Sequence, residues 1–347
     1  MSIQKLIILQ LFIMGGFIIA SAQNESGIEQ VFFYGSLAPS SHNAQMWNII
    51  KVGDQEYKIE IDTKHKLSCV DPADREAWIS IGAFLQNCLY AAPFFGYAIN
   101  YKIESNAVYL SFLPTQECTT LKKTFDITLE DLKKRHTCRK NYSKKKIAPE
   151  IVAPILNGFQ NTLYIDANSD LGTKLSTLIV DANIKQYQQK QTVKELSSLI
   201  LTDKKGKGNR RGLTLEAMGL SAFERFFFRL FFSNADLTKN KIFLSGAVKT
   251  AKSQVSNCSG YLILFSKGEA FPKDEIMCGM DLVAIWTLLN KSGVSVHPMS
   301  QPQEEHPAEL SELFPNANKV QMILRIGYGA NCHNIKERAK INIIPNE

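Results

Sequence analysis

Apolar residues recur at three- and four-residue steps over 75–96, placing Ile81, Phe84, Leu85, Cys88 and Ala92 on one face. That period predicts a helix, with Asp71-Pro72 before its start and Gly96 as its stop. A stretch of the same character covers 275–293 and leads into a strand-like 294–296. Alternating or continuous apolar runs predict strands over 48–52, 57–62, 107–112, 260–266 and 320–326. Helical segments are expected at 175–184 and 193–201. Shifted by 197 residues, the first long helix lies over the second: Gly82 on Gly279, Leu85 on Leu282, Ala92 on Leu289, Gly96 on Gly293. Four such pairs suggest a duplicated module in which each half supplies a core helix. The glycines would let the backbone approach closely, either between paired helices or to a ligand.

The material between the two copies differs. Residues 121–146 are basic and mostly polar, with Phe125, Leu129 and Leu132 as anchors, and 202–212 is a Gly/Lys/Asn/Arg run that predicts a solvated loop. Then comes 213–232, where Phe223, Phe226, Phe227, Phe228, Phe231 and Phe232 crowd together. So much aromatic surface needs a partner, the core, a membrane or another subunit, and burial in the core or an interface is expected, while Arg225 and Arg229, four apart, turn one helix face outward.

The first 22 residues have the order of an export signal: Lys5, a greasy run over 6–19, then Ala20-Ser21-Ala22. The run is short for a spanning helix, which needs about 20 residues. No cysteine stands nearby to accept a lipid. With 347 residues, 45% of them hydrophobic, the chain can bury one large core or two modest ones. Its net charge of +7 comes without aromatic interleaving or a recognition-helix pattern, so no nucleic-acid partner is expected. Seven cysteines without any CxxC exclude a disulfide scaffold or zinc site as the organising device. One pair could bridge in an oxidising compartment, and the spacing does not choose it.

Three stretches could carry chemistry. The run Leu37-Ala-Pro-Ser-Ser-His-Asn-Ala-Gln-Met-Trp47 packs hydroxyls, amides and an indole at the mouth of a strand. It suits a flat heteroaromatic ligand, though a turn at a helix end would look similar. In Arg135-His-Thr-Cys-Arg-Lys140, two guanidiniums four residues apart with a hydroxyl between them would converge on a phosphate if helical, or form a solvated basic face. In Arg325-Ile-Gly-Tyr-Gly329, a basic strand end followed by glycine can present a guanidinium and amides to an anion. His42 adjoins Ser40 and Ser41, but no GxSxG elbow surrounds them. His65, His306 and His333 lack ligand spacing, and His297 before Pro298 reads as a turn histidine or a pocket border.

The first stretch resembles the APSSxNxQPW motif of flavin-dependent nitroreductases: Pro39, Ser40, Ser41, Asn43, Gln45 and Trp47 match, and Met46 replaces proline. The second resembles the family's RRSxR motif through Arg135, Thr137 and Arg139, with His136 departing from arginine. The third resembles its closing R-[LI]-G segment. Here the APSS motif precedes the arginine motif, the reverse of the usual order, which resembles the fused, double-length Acg-like branch. Asp71-Pro72-x-x-Arg75-Glu76, 212–220 and 297–302 are similar to that branch as well.

The resemblance implies an α+β (α/β-type) nitroreductase-like fold, with two fused modules resembling a dimer in one chain. The modules are expected at 23–120 and 121–347, after a signal peptide at 1–22, with a lid near 203–241. It implies non-covalent FMN, its phosphate and ribityl chain held by Arg135, Thr137, Arg139 and Arg325. Ser40, Ser41, Asn43 and Gln45 would border or hold the ring, and Trp47 would be core. The flavin would carry the chemistry, so no catalytic acid or nucleophile and no metal is expected. Partners would be a small-molecule electron donor and acceptor, and no dinucleotide fingerprint is present. Export would favour a thiol, quinol or protein donor over a nicotinamide. The mature chain is expected to be extracytoplasmic, not membrane-inserted, and a monomer or pseudo-dimer. The alternative reading is an exported flavin-binding or sequestering protein without turnover.

Overall fold

A computed structural model describes residues 27–115, 126–202, 210–233, 235–315, 319–330, 332 and 337–346. Helix α1 (27–36) leads through a 3-10 turn at Ser41–Asn43 into the hairpin β1 (Trp47–Gly53) and β2 (Glu56–Ile61). Then come α2 (Arg75–Ala91), β3 (Tyr97–Ile103), β4 (Val108–Pro114), α3 (Leu129–Lys134), β5 (Tyr142–Ser143), α4 (Pro149–Gly158) and β6 (Thr162–Asp166). A helical stretch follows, α5 (Asp170–Gln188) and α6 (Lys190–Ser198), then the short strands β7 (Ile200–Leu201) and β8 (Leu213–Thr214), then α7 (Ala222–Phe232) and α8 (Lys241–Ser256). The chain closes with β9 (Gly260–Ser266), α9 (Lys273–Lys291), β10 (Ser295–Pro298), α10 (Gln301–Glu305), α11 (Pro307–Leu313), β11 (Lys319–Gly329) and β12 (Ile343–Pro345).

The first sheet runs β12-β1-β2-β4-β3 and the second β10-β11-β9-β6, with β5 added beside β11. All neighbours are antiparallel except β12, which joins β1 in parallel. Antiparallel sheets with helices set between and around them give a mixed α+β architecture.

Helices α2 and α9 are apolar almost all round, as befits helices buried on every side. They lie directly on each other. A Cβ on Gly82 would stand 2.0 Å from the carbonyl oxygen of Ile276, and one on Gly279 would stand 2.0 Å from that of Ile79. Ile79 and Ile276 are also 197 apart, so the two contacts exchange under the same offset that relates the glycines. Such reciprocity is what an isologous, two-fold contact produces. The caps repeat it: Gly96 at φ 84° and Gly293 at φ 75° end the two helical stretches and turn the chain into β3 and β10.

The C-terminal arm, residues 337–345, expected in the unit 121–347, reaches the first sheet, where Ile343 pairs with Ile49 and the Ala339 N–H donates to Gln45 Oε1 at 2.8 Å. Cys138 and Cys332 form a disulfide, the pairing that spacing left open, with Cα atoms 5.4 Å apart. Cys88, Cys258 and Cys278 are buried thiols and Cys69 is exposed.

The aromatic stretch departs from expectation. On α7 only Phe228 is buried, and Phe223, Phe226, Phe227 and Phe231 are exposed. The expected signal at 1–22 and residues 203–209 of the expected lid lie outside the described residues. Among the described residues, no helix is long and apolar enough to cross a membrane.

Candidate functional site

Ser40, Ser41, Asn43, Arg135, Thr137 and Arg139 all border one cavity of about 1060 Å³. Two motifs remote in sequence therefore face one space, of the size that holds small molecules and cofactors. Glu76 and Ile79 of α2, Trp286 of α9 and His297 of β10 complete much of the wall.

The arginine segment is not helical. The capping box of Thr128 and Asp131 starts α3, which stops at Lys134, and Arg135 has ψ 126°. From there the chain is extended: Thr137 bridges Val296, and the Cys138 N–H donates to the Val296 carbonyl at 2.9 Å. In an extended chain alternate residues share a side, so Arg135, Thr137 and Arg139 converge by a period of two. Helix α9 pins the segment between them. Its Asn290 accepts from the His136 N–H at 2.8 Å, and its Trp286 indole donates to the His136 carbonyl at 2.9 Å.

Arg135 is 3% exposed. Its Nη2 donates to the Leu37 carbonyl at 2.9 Å, and the guanidinium lies 4.7 Å from the Trp286 ring centroid. Its Nε and Nη1 are buried without a partner. Burial, and then the charge of Arg338, lower its pKa to about 9, so the cation persists at neutral pH. A buried cation with two unanswered donors fits an anionic oxygen such as that of a phosphate. Arg139 is half-buried, donates through Nη1 to the Ala217 carbonyl at 2.9 Å, and has its pKa lowered to about 10 by burial. Gly219, at φ 87°, lies with its Cβ position 3.3 Å from Arg139 Cβ, a close approach that only glycine takes without strain.

The loop before β1 is strained. His42, Asn43 and Gln45 all have positive φ, at 47°, 57° and 53°. Asn43 Nδ2 donates to the carbonyls of Gly212 (2.8 Å) and Glu337 (2.9 Å), and its Oδ1 accepts from Arg338 Nη1 at 2.6 Å. Gln45 is buried away from the cavity and donates to the carbonyls of Asn43 and Arg210. Both amides tie the loop down; Asn43 borders the cavity as expected of a residue beside the ring, whereas Gln45 lies off the cavity wall, which corrects the expectation for Gln45. Ser40 and Ser41 do reach the cavity; Ser40 Oγ accepts from the Gln45 N–H at 3.0 Å and Ser41 Oγ lies 3.3 Å from His42 Nδ1. Trp47 is core, against Phe84, as expected.

Arg325 also differs from expectation. It is fully buried and absent from the cavity wall, with Nη1 donating to the carbonyls of Gln254 and Asn257 and Nη2 to those of Cys138 and Lys140. The Tyr142 ring centroid is 3.9 Å from its guanidinium carbon. Its carbonyl contacts fix the backbone that carries Arg139, so it positions the arginine segment instead of meeting a phosphate.

Arg338 was not singled out by the sequence. It borders the cavity and donates to the carbonyls of Ser36, Leu37, Ala38 and Glu337 as well as to Asn43. Burial lowers its pKa to about 10. His297 is held neutral: burial, then Arg325 and Arg139, push its pKa well below the usual value, and its Nδ1 has no partner. Glu304 is raised well above the usual range by burial and by Glu76, so it keeps the proton of that pair, while Glu76 stays charged beside Arg75 at 3.1 Å. From the aromatic stretch, Phe228 and Phe232 border the cavity, as do Gly212 through Leu220 apart from Leu215. Among the described residues no cluster could hold a metal ion.

No family model matches the chain. It is 22% identical over 289 residues to the probable NAD(P)H nitroreductase PigM of Serratia sp. (strain ATCC 39006), covering 80% of each chain. This similarity supports a nitroreductase-like chain. Among solved structures it is similar to the FMN-dependent nitroreductase NfnB from Mycobacterium smegmatis in complex with NADPH, at 12% identity, 59% of this chain, 89% of that one and a TM-score of 0.36. It is similar too to the FMN and NADPH-dependent nitroreductase NfnB from sphigopyxis sp. strain HMH, at 15%, 59%, 90% and 0.36.

Proposed function

We propose that this protein is an FMN-dependent oxidoreductase of nitroreductase type, built from two fused, related modules and exported. The observation that carries the reading is Arg135: a buried guanidinium with two unpartnered donors, on the wall of a cavity that Ser40, Ser41, Thr137 and Arg139 share. The sequence similarity to PigM adds weight to redox turnover over mere flavin storage. Bound FMN would supply the electron-transfer chemistry. The chain's own part is then binding and orientation. Arg135 and Arg139 offer charge to the phosphate, Thr137 lies between them, and Ser40 and Ser41 offer small hydroxyls to the ring. The neutral His297 adds no competing charge. The fused-module reading rests on the reciprocal contacts of Gly82 and Gly279 and on the capping glycines. Export is supported by the order of residues 1–22 and by the Cys138–Cys332 disulfide, a bond that persists in oxidising compartments. Residues 210–232, along the cavity, would serve as the lid.

Visible absorbance after incubation with FMN and removal of the excess tests the reading. One flavin per chain is expected in the wild type. Arg135→Ala should lose at least tenfold in FMN affinity, since charge-assisted bonds contribute roughly 1.5–3 kcal/mol. Its apo thermal midpoint should stay close to that of the wild type. A folded wild type that retains no FMN would overturn the proposal. A yellow protein that neither NADPH nor a thiol reductant bleaches would leave the sequestering alternative.

A further inference from the structure

Helix α7 reads AFERFFFRLFF, and its aromatic residues divide between two sides. Phe228 and Phe232 turn inward and meet Phe243 of α8 at ring-centroid distances of 6.2 and 6.3 Å. Phe223, Phe226, Phe227, Leu230 and Phe231 follow the i, i+3, i+4, i+7, i+8 spacing of one stripe and look outward. Phe223, Phe226, Leu230 and Phe231 are each 59–71% exposed. Phe227 bridges the stripe, 4.5 Å from the Phe223 ring and 5.9 Å from that of Phe231. Ile242, in the first turn of α8, is 75% exposed and extends the apolar surface to the second helix.

The same two-helix unit is basic. Over 222–256, Arg225, Arg229, Lys239, Lys241, Lys249 and Lys252 stand against only Glu224 and Asp236, and all four lysines are exposed. Arg225 and Arg229 are half-buried on α7 itself, where Arg225 Nη1 donates to the Leu220 carbonyl at 3.1 Å and Arg229 Nε to that of Thr202 at 2.9 Å, so the exposed positive charge of the unit is carried by its lysines.

We propose that the outer face of α7 and the first turn of α8 dock on an anionic lipid bilayer, with α7 lying in the plane of the headgroups. An aromatic stripe edged by lysine is the chemistry of an interfacial helix: the rings enter the boundary of the acyl chains and the cations meet anionic headgroups. A second copy of the chain fits the face less well. Eleven residues make a helix roughly 16 Å long, and its single stripe stays below the about 800 Å² per partner of a standard interface. Two like-charged basic faces would also repel. A bilayer has no such area requirement and carries the opposite charge. Because Phe228 and Phe232 form part of the cavity wall from the inner side of the same helix, docking sets the cavity beside the membrane surface. The proposal does not depend on what the cavity binds.

The test is co-sedimentation with vesicles of phosphatidylcholine alone and of phosphatidylcholine mixed with phosphatidylglycerol. It uses the chain as recovered from cells, its N-terminus read by mass, beside the variant Phe226→Ser/Leu230→Ser. Both replaced side chains are exposed and off the cavity wall, so the fold should be unchanged. The wild type should bind the anionic vesicles, bind phosphatidylcholine more weakly, and lose binding as salt rises. The variant should partition at least about tenfold less. Folded wild type that ignores anionic vesicles would refute the proposal. So would a variant that binds as well as wild type, or a concentration-dependent dimer, seen by sedimentation velocity, that the same substitutions dissolve while vesicle binding is absent.

Discussion

Asn43 shows how much of the site is held by residues that never need to touch a ligand. It sits at φ 57° between two other left-handed residues, a conformation that costs about 1 kcal/mol or more for each non-glycine residue. The loop persists because its amide and Arg338 tie it to Gly212 and Glu337. Asn43→Ala should therefore cost about 1–3 kcal/mol in urea unfolding and weaken FMN retention, because Ser40 and Ser41 lose their frame. A variant as stable as wild type would mean that the carbonyl partners find others at no cost. The sequence located this loop by its density of polar groups but not its bonding. Asn43's partners lie 169 to 295 residues away, and local spacing holds no record of them. Arg338 escaped for the same reason: an arginine in a short charged tail has no signature until the tail folds back. Arg325 was legible as a cation near a strand end, not as a buried residue inside β11 whose guanidinium is answered by carbonyls.

At the scale of elements, the hydrophobic period served well where both faces of an element have an unambiguous fate. Helices α2 and α9 and strands β9 and β11 fall where the pattern puts them, within a few residues. It failed where the period admits two geometries. Arg135 and Arg139, four apart, align on a helix face and equally on one side of an extended chain, and the early stop of α3 at Lys134 decides between them. On α7 the period gives the stripe but not whether anything covers it. The α2–α9 contact yields a sharper expectation. A methyl on Gly82 or Gly279 would meet a backbone oxygen, which cannot swing aside as a side chain can. Gly82→Ala and Gly279→Ala should each destabilise by about 3 kcal/mol or more, by similar amounts, because each pushes on the carbonyl that the offset relates. Gly246→Ala in α8, where nothing lies within 4 Å of the new methyl, should instead stabilise by roughly 0.5–1 kcal/mol. Thermal and urea unfolding of the three variants decide it. Unequal costs for the two central glycines would count against the two-fold contact.

For the whole molecule, the C-terminal arm fastens the two main sheets to each other, and it does so close to the cavity. Strand β12 adds to the first sheet, Arg338 braces the loop before β1, and Cys332 is bonded to Cys138, which stands between Thr137 and Arg139. The disulfide spans 194 residues of sequence, so closing it removes much freedom from the unfolded chain, about 5 kcal/mol in the chain-entropy description. Engineered and native bonds commonly deliver less, and a loss of 2–5 kcal/mol is expected for Cys138→Ala/Cys332→Ala. Cys88, Cys258 and Cys278 are buried, and burial raises their thiol pKa values, which leaves them poorly reactive toward disulfide exchange. A mild reductant should thus bring the wild type to the stability of the double variant and leave the variant itself unchanged. FMN retention should fall in parallel, since the released arm no longer holds the segment that carries Arg139. If reductant leaves the wild-type midpoint where it was, the bond is not what anchors the arm. Fastening would then rest on β12 and Arg338, which Arg338→Met would test in turn.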